Sequence, residues 1–152
     1  PSLRAASIRL MAGKSTSSSS AEKSRLAYQH LRYFTNLYTV TRQDYLTLFR
    51  ALSAGKIRKV AFCGVDEVTE IAYLSLSETG LDLVAVMDDD LAGRDFFGLP
   101  IVSVAHGILS GYQGIVLTSL KKSELLREQL SRVGVGKDCI FSAGGAEIRD
   151  GL

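Results

Sequence analysis

The sequence predicts an α/β protein: a doubly wound, mainly parallel five-stranded sheet preceded by a long helical arm. Three observations carry the prediction. Residues 21–52 contain neither Gly nor Pro and repeat apolar side chains at helical spacing. After Lys56, short β-rich runs alternate with helical ones, the pattern of βαβ crossovers. The runs VAFC, LVAVM and IVL are apolar throughout, as strands covered on both faces should be.

In chain order, residues 1–20 read as a flexible tail and linker. The run STSSSS at Ser15–Ser20 has too little apolar surface to offset the entropy of ordering. Residues 21–55 form the helical arm. Leu31, Phe34, Tyr38, Thr41, Tyr45, Leu48 and Leu52 recur at spacings of three and four, and Ala54-Gly55 supplies the stop. Leu26, Tyr33, Leu37 and Val40 lie off that stripe, so the helix is apolar on more than one side and predicts a homodimer through residues 21–55. The alternative is a single helix, or two helices broken near Thr41, packed wholly on its own sheet.

Residues 56–142 form the folded domain. Its expected elements are strands at Lys59–Cys63, Leu83–Met87, Pro100–Ser103, Gly114–Thr118 and Cys139–Phe141, with helices at Glu67–Ser77 and Ser123–Val133. Residues 143–152 are a C-terminal tail. With 152 residues and 46% hydrophobic content, the chain suffices for one core plus an arm. No apolar run approaches the roughly 20 residues that span a bilayer, and no secretory h-region opens the chain; together they predict a cytoplasmic protein without a membrane partner. Pro1 predicts a chain that begins inside a longer one. A net charge of +2 with dispersed positives gives no nucleic-acid footprint.

Cys63 and Cys139 lack metal-ligand spacing and read as buried reduced thiols. In the expected strand order they lie about 10 Å apart, at roughly 4.8 Å per strand, too far for a disulfide.

Such a sheet receives its ligand beyond the carboxyl ends of its strands. Three groups fall there. Cys63-Gly64-Val65-Asp66 ends the first strand and opens a helix, where backbone N–H groups attract phosphate. Against the GxGxxG fingerprint, Gly64 fills the first position while Asp66 and Thr69 fill the second and third. Asp66, with Glu67 and Glu70, would repel a pyrophosphate, which argues against full-length NAD; Asp66 also reads as an N-cap. The second strand ends in Asp88-Asp89-Asp90, with Asp88 24 residues after Gly64, near the offset at which an acid accepts ribose hydroxyls. A solvated acidic loop is the plainer alternative. Thr118 and Ser119 close the fourth strand, as ribose or phosphate contacts or as helix caps. The proposed ligand residues are therefore Gly64, Val65, Asp66, Asp88, Asp89, Thr118 and Ser119, and Asp88→Ala is expected to abolish ligand stabilisation while leaving the apo melting temperature nearly unchanged. His30 and His106 have no serine or cysteine placed as an activated pair, and the sequence predicts neither catalysis nor a metal site.

The segment VAFCGVDEVTEIAYLSLSETGLDLVAVMDDD, with AGRDFFGLPIVS and GIVLTS, resembles the Rossmann-like domain that opens bacterial polysaccharide-biosynthesis dehydratases and sugar acyltransferases. Asp88-Asp89 and Gly98-Leu99-Pro100-Ile101 carry the match. The resemblance implies nucleotide or nucleotide-sugar contacts at Gly64 and Asp88. SRLAYQHLRYF with DYLTLFRAL, followed by this domain, resembles winged-helix transcription regulators. It implies that DNA is bound only through a region before residue 1, with the long helix joining two subunits. The expected function is thus a regulatory, nucleotide-sensing domain of a transcriptional regulator. A non-catalytic part of a sugar-nucleotide enzyme and an oligomerisation scaffold without ligand are the alternatives.

Overall fold

The computed structural model describes residues 20–144. Of the linker expected over 1–20 and the tail expected over 143–152, residues 1–19 and 145–152 lie outside the described residues, while Ser20 opens the first helix rather than closing the linker. The chain divides into two compact units, Pro1–Val40 and Thr41–Leu152.

Helix α1 (Ser20–Ala54) has no break at Thr41. In the first unit it carries exposed Leu26, Tyr28, Leu31, Tyr33 and Val40. The Thr35 and Thr39 hydroxyls donate back to the carbonyls of Leu31 and Thr35, which lets β-branched polar residues sit in a helix interior. In the second unit α1 buries Tyr45, Leu46, Phe49 and Leu52. Gly55 N–H caps the Ala51 carbonyl, and the helix stops at the expected place.

The second unit is α/β with a six-stranded, mostly parallel sheet. Its elements are β1 (Lys59–Cys63), α2 (Glu67–Leu76), β2 (Asp82–Met87), β3 (Asp95–Phe96), β4 (Leu99–Val102), α3 (Val104–Gly107), β5 (Gly114–Leu117), α4 (Ser123–Arg132), a 3-10 turn (Lys137–Cys139) and β6 (Ile140–Ser142). The order across the sheet is β3-β4-β2-β1-β5-β6, with every pairing parallel except β3 with β4. The sequence pattern predicts five strands. The sixth, β3, has two residues and turns back on β4 through Phe97-Gly98, both at positive φ (50° and 89°), as a two-residue hairpin of the primed type requires.

Alternation along each strand builds two cores. Val60, Phe62, Val86 and Val116 face Tyr45, Phe49 and Leu52 of α1 and Ala72 and Leu76 of α2. Ala61, Cys63, Ala85, Met87, Ile115 and Leu117 face Val104, Leu126 and Leu130. Covering both faces explains why these strands are apolar at every position. Phe49 stacks on Phe62 with centroids 6.2 Å apart and is fully buried; Phe49→Ala would cost about 3–5 kcal/mol.

Cys63 is buried as expected, but Cys139 is only half-buried, because it sits in the 3-10 turn before β6 instead of in the strand. Both cysteines are free, and β5 separates β1 from β6. Among the described residues no helix is long and apolar enough to cross a membrane.

Candidate functional site: the carboxyl ends of the strands

Gly64 follows β1 at φ +95°, and a Cβ there would lie 2.6 Å from Leu126 Cδ1 and 2.8 Å from Ser119 Cβ. Glycine is required by the turn and by the approach of α4. Its N–H donates to the Met87 carbonyl (2.8 Å), and its carbonyl accepts from Thr118 Oγ1 (2.6 Å) and Thr69 Oγ1 (3.2 Å). These bonds lock the ends of β1, β2 and β5 together.

Asp66 is the N-cap of α2, in a capping box with Thr69. Its Oδ1 accepts from Val68 N–H (3.0 Å), and its Oδ2 accepts from Leu120 N–H (2.7 Å) and Ser119 Oγ (2.9 Å). Asp66 N–H in turn donates to Thr69 Oγ1 (2.8 Å). Helix N-terminal N–H groups are where such a fold would seat a phosphate. Here a carboxylate of the chain itself takes that seat, bridging the turn after β1 to the turn after β5.

Asp88 is buried at 6% exposure. Its Oδ2 accepts from Val65 N–H (2.8 Å), and its Oδ1 accepts from Asp90 N–H (2.9 Å) and Leu91 N–H (3.1 Å). Three backbone donors converge on one carboxylate, so Asp88 fastens the β2 turn to the β1 turn. The expectation that Asp88→Ala leaves the apo protein unaffected is therefore corrected: this side chain supports the fold. Val65 likewise spends its N–H on Asp88.

Asp89 points elsewhere, accepting from Val104 N–H (2.9 Å) and Gln129 Nε2 (2.8 Å). The Val104 bond first, and then the Gln129 bond, hold its carboxyl below its ordinary pKa. Exposed Asp90 pairs with Lys122 Nζ at 2.9 Å; this contact raises the pKa of Lys122. The three consecutive aspartates thus serve three different sets of partners.

Thr118 is buried, with its hydroxyl on the Gly64 carbonyl; Ser119 Oγ donates to Asp66 and accepts from Lys122 N–H (3.0 Å). Gly64, Val65, Asp66, Asp88, Thr118 and Ser119 therefore meet in one network, while Asp89 lies outside it. Among the described residues, no buried side-chain polar atom lacks a partner.

Space opens beside this network. A cavity of about 290 Å³ beyond the ends of β5 and β6 is lined by Thr41, Asp44 and Tyr45 of α1 and by Ser119, Ser123 and Arg127, among others. A second, of about 330 Å³, shares Asp44 and Arg127 and extends toward Leu48 and Phe141. The Tyr45 hydroxyl donates to the Leu117 carbonyl (2.9 Å), and burial raises its pKa. Arg127 Nη2 donates to Ser142 Oγ (3.0 Å). Sequence reasoning places Tyr45 only on an apolar stripe and passes over Asp44 and Arg127, because their meeting depends on α1 and α4 approaching the same end of the sheet.

No protein-family model matches this chain, and no curated protein matches it at a significant level.

Proposed function

We propose that the chain is a non-catalytic regulatory module on a Rossmann-like, doubly wound sheet, which senses a small molecule at the carboxyl ends of its strands and transmits occupancy through α1. The strand order β4-β2-β1-β5-β6, with all four pairings parallel, supports the doubly wound reading and with it the resemblance to the domains of polysaccharide-biosynthesis enzymes. The observation that carries the reading is the Tyr45–Leu117 hydrogen bond. The long helix touches the sheet where an α/β protein receives its ligand. A homodimer formed through α1, with DNA bound by a region before residue 1, completes the proposal; the exposed apolar residues of α1 up to Val40 support it.

The effector class is narrowed by Asp66. A diphosphate approaching Gly64 would meet a carboxylate already holding Val68 N–H and Leu120 N–H, so full-length NAD is disfavoured by occupancy as well as by charge. The same completeness favours a second reading, in which the fold is an oligomerisation scaffold that has lost its ligand.

A thermal-shift screen of the full chain tests the proposal, using NAD(H), AMP, ATP, CoA esters, UDP-sugars and free sugars, with sedimentation velocity on each hit. A dose-dependent rise following RT ln(1 + [L]/Kd), together with a changed dimerisation constant, supports the sensor. A folded dimer that responds to none of them supports the scaffold instead.

A further inference from the structure

We infer that the cavity between α1 and α4 is a ligand site adjoining the Gly64–Asp66 turn, and that it takes a small uncharged polyhydroxylated molecule of monosaccharide size. The inference deepens the regulatory reading and rests on it for its consequence, while its chemistry follows from the lining side chains.

Size comes first. About 290 Å³ holds roughly ten water molecules at about 30 Å³ each, the room of a solute with about a dozen heavy atoms. A dinucleotide would extend well outside such a chamber.

Charge and hydrogen bonding come next. The lining residues include two acids, Asp44 and Glu124, and one base, Arg127, so there is no net positive charge to draw in a polyphosphate. A vicinal diol suits this mixture, because each hydroxyl both donates to a carboxylate and accepts from a guanidinium. Ser142 Oγ accepts from Arg127 and steadies it. The Ser123 hydroxyl donates to the Ser119 carbonyl at 2.7 Å, which leaves its oxygen lone pairs to accept from a ligand hydroxyl. Tyr45, Val68 and Leu120 supply an apolar wall, the complement of the C–H face of a sugar ring; pockets of this kind combine such walls with a few placed polar groups.

Position gives the consequence. Thr41, Asp44 and Tyr45 occupy one stretch of α1, while Ser119 and Arg127 belong to the β5 turn and α4. A ligand bridging them holds α1 against the carboxyl end of the sheet. Ligand free energy then enters the equilibrium of the helix, as a sensor requires.

The experiment is an amide-resolved NMR titration of the full chain with glucose, galactose and N-acetylglucosamine, and in parallel with glycine, glutamate and AMP. It is run on the wild type, Arg127→Leu and Ser142→Ala, with circular dichroism confirming that both variants are folded. The expected result is saturable shifts at Ser123, Arg127 and Ser142 with at least one neutral sugar, weakened at least tenfold by Arg127→Leu and less by Ser142→Ala. Sugar shifts indifferent to Arg127→Leu, or an amino acid binding there in preference to every sugar, would overturn the inference. AMP binding at Val65 and Asp66 with no sugar response overturns it while leaving the regulatory reading standing. No response to any probe overturns it too, and the regulatory reading then stands or falls by the thermal-shift screen with its wider set of nucleotides.

Discussion

Replacing Asp88 by Ala deletes the acceptor of three backbone N–H groups, those of Val65, Asp90 and Leu91, at 2.8, 2.9 and 3.1 Å. A hydrogen bond to a charged group contributes about 1.5–3 kcal/mol where water cannot replace it, and less where it can. Asp90 is exposed, so water takes over much of the bond at that turn. Val65 N–H lies between two strand ends and loses more. The sum is about 3 kcal/mol, which lowers Tm by on the order of 10 °C for a unit of this size. Urea unfolding followed by circular dichroism, with the m-value checked for constancy, measures it. A loss below about 0.5 kcal/mol would refute the assignment of Asp88 to the fold and return it to the ligand contacts.

Other outcomes follow from the same geometry. The carboxyl of Asp89 is held below its ordinary pKa by Val104 N–H and Gln129, so its stabilisation is present above the unfolded value of about 3.9 and is lost as pH falls through the lower folded value. Asp89→Asn should flatten that acid limb in urea midpoints taken across pH, and an unchanged limb would contradict the assignment. Burial first, and then the charges of Asp88 and Asp89, push the Cys63 thiol up to about 12; a maleimide at pH 8 should therefore label half-buried Cys139 well ahead of Cys63. Denatured but unreduced protein should show both thiols, and a missing pair would contradict the strand order. Phe97 sits at φ 50° and stacks on Tyr73 with centroids 4.6 Å apart. Phe97→Val puts a β-branched residue in that conformation and removes the stack, for a loss of about 1–2 kcal/mol; a neutral thermal melt would show that the hairpin does not depend on this ring.

The fold is legible in the sequence because its signals are periodic. Strands buried on both faces leave unbroken apolar runs, so VAFC, LVAVM and IVL identify β1, β2 and β5 to within a residue. The Gly- and Pro-free arm marks α1 in the same way. Hairpin strand β3 escapes because two residues carry no period, and its turn uses Phe97 where Asn or Asp would have signalled it. At the site, sequence offsets bring Gly64, Asp66, Asp88, Thr118 and Ser119 to one place but do not assign their roles. Whether Asp88 meets a ribose or Val65 N–H depends on how closely two turns approach, and they are drawn together where Gly64 N–H donates to the Met87 carbonyl. Asp66 reads equally as a repelling charge and as a cap; it is a cap whose second oxygen reaches Leu120 N–H across the sheet, a long-range contact with no local signature. Arg127 and Asp44 are ordinary helix-surface residues in sequence, and only the tertiary approach of α1 and α4 makes them neighbours of one cavity.

Asp66, a carboxylate of the chain itself, occupies the anion seat at the strand ends, and the proposed ligand site lies on another part of that surface. The decisive measurement follows the amide resonances of Val65, Asp66, Val68 and Leu120 during titration with NAD(H) and ATP to millimolar concentration. If Asp66 holds the seat, these four resonances stay in place. Saturable shifts of all four, with loss of the Leu120 N–H bond to Asp66, would show that a phosphate displaces the carboxylate and that the seat is open to ligand after all.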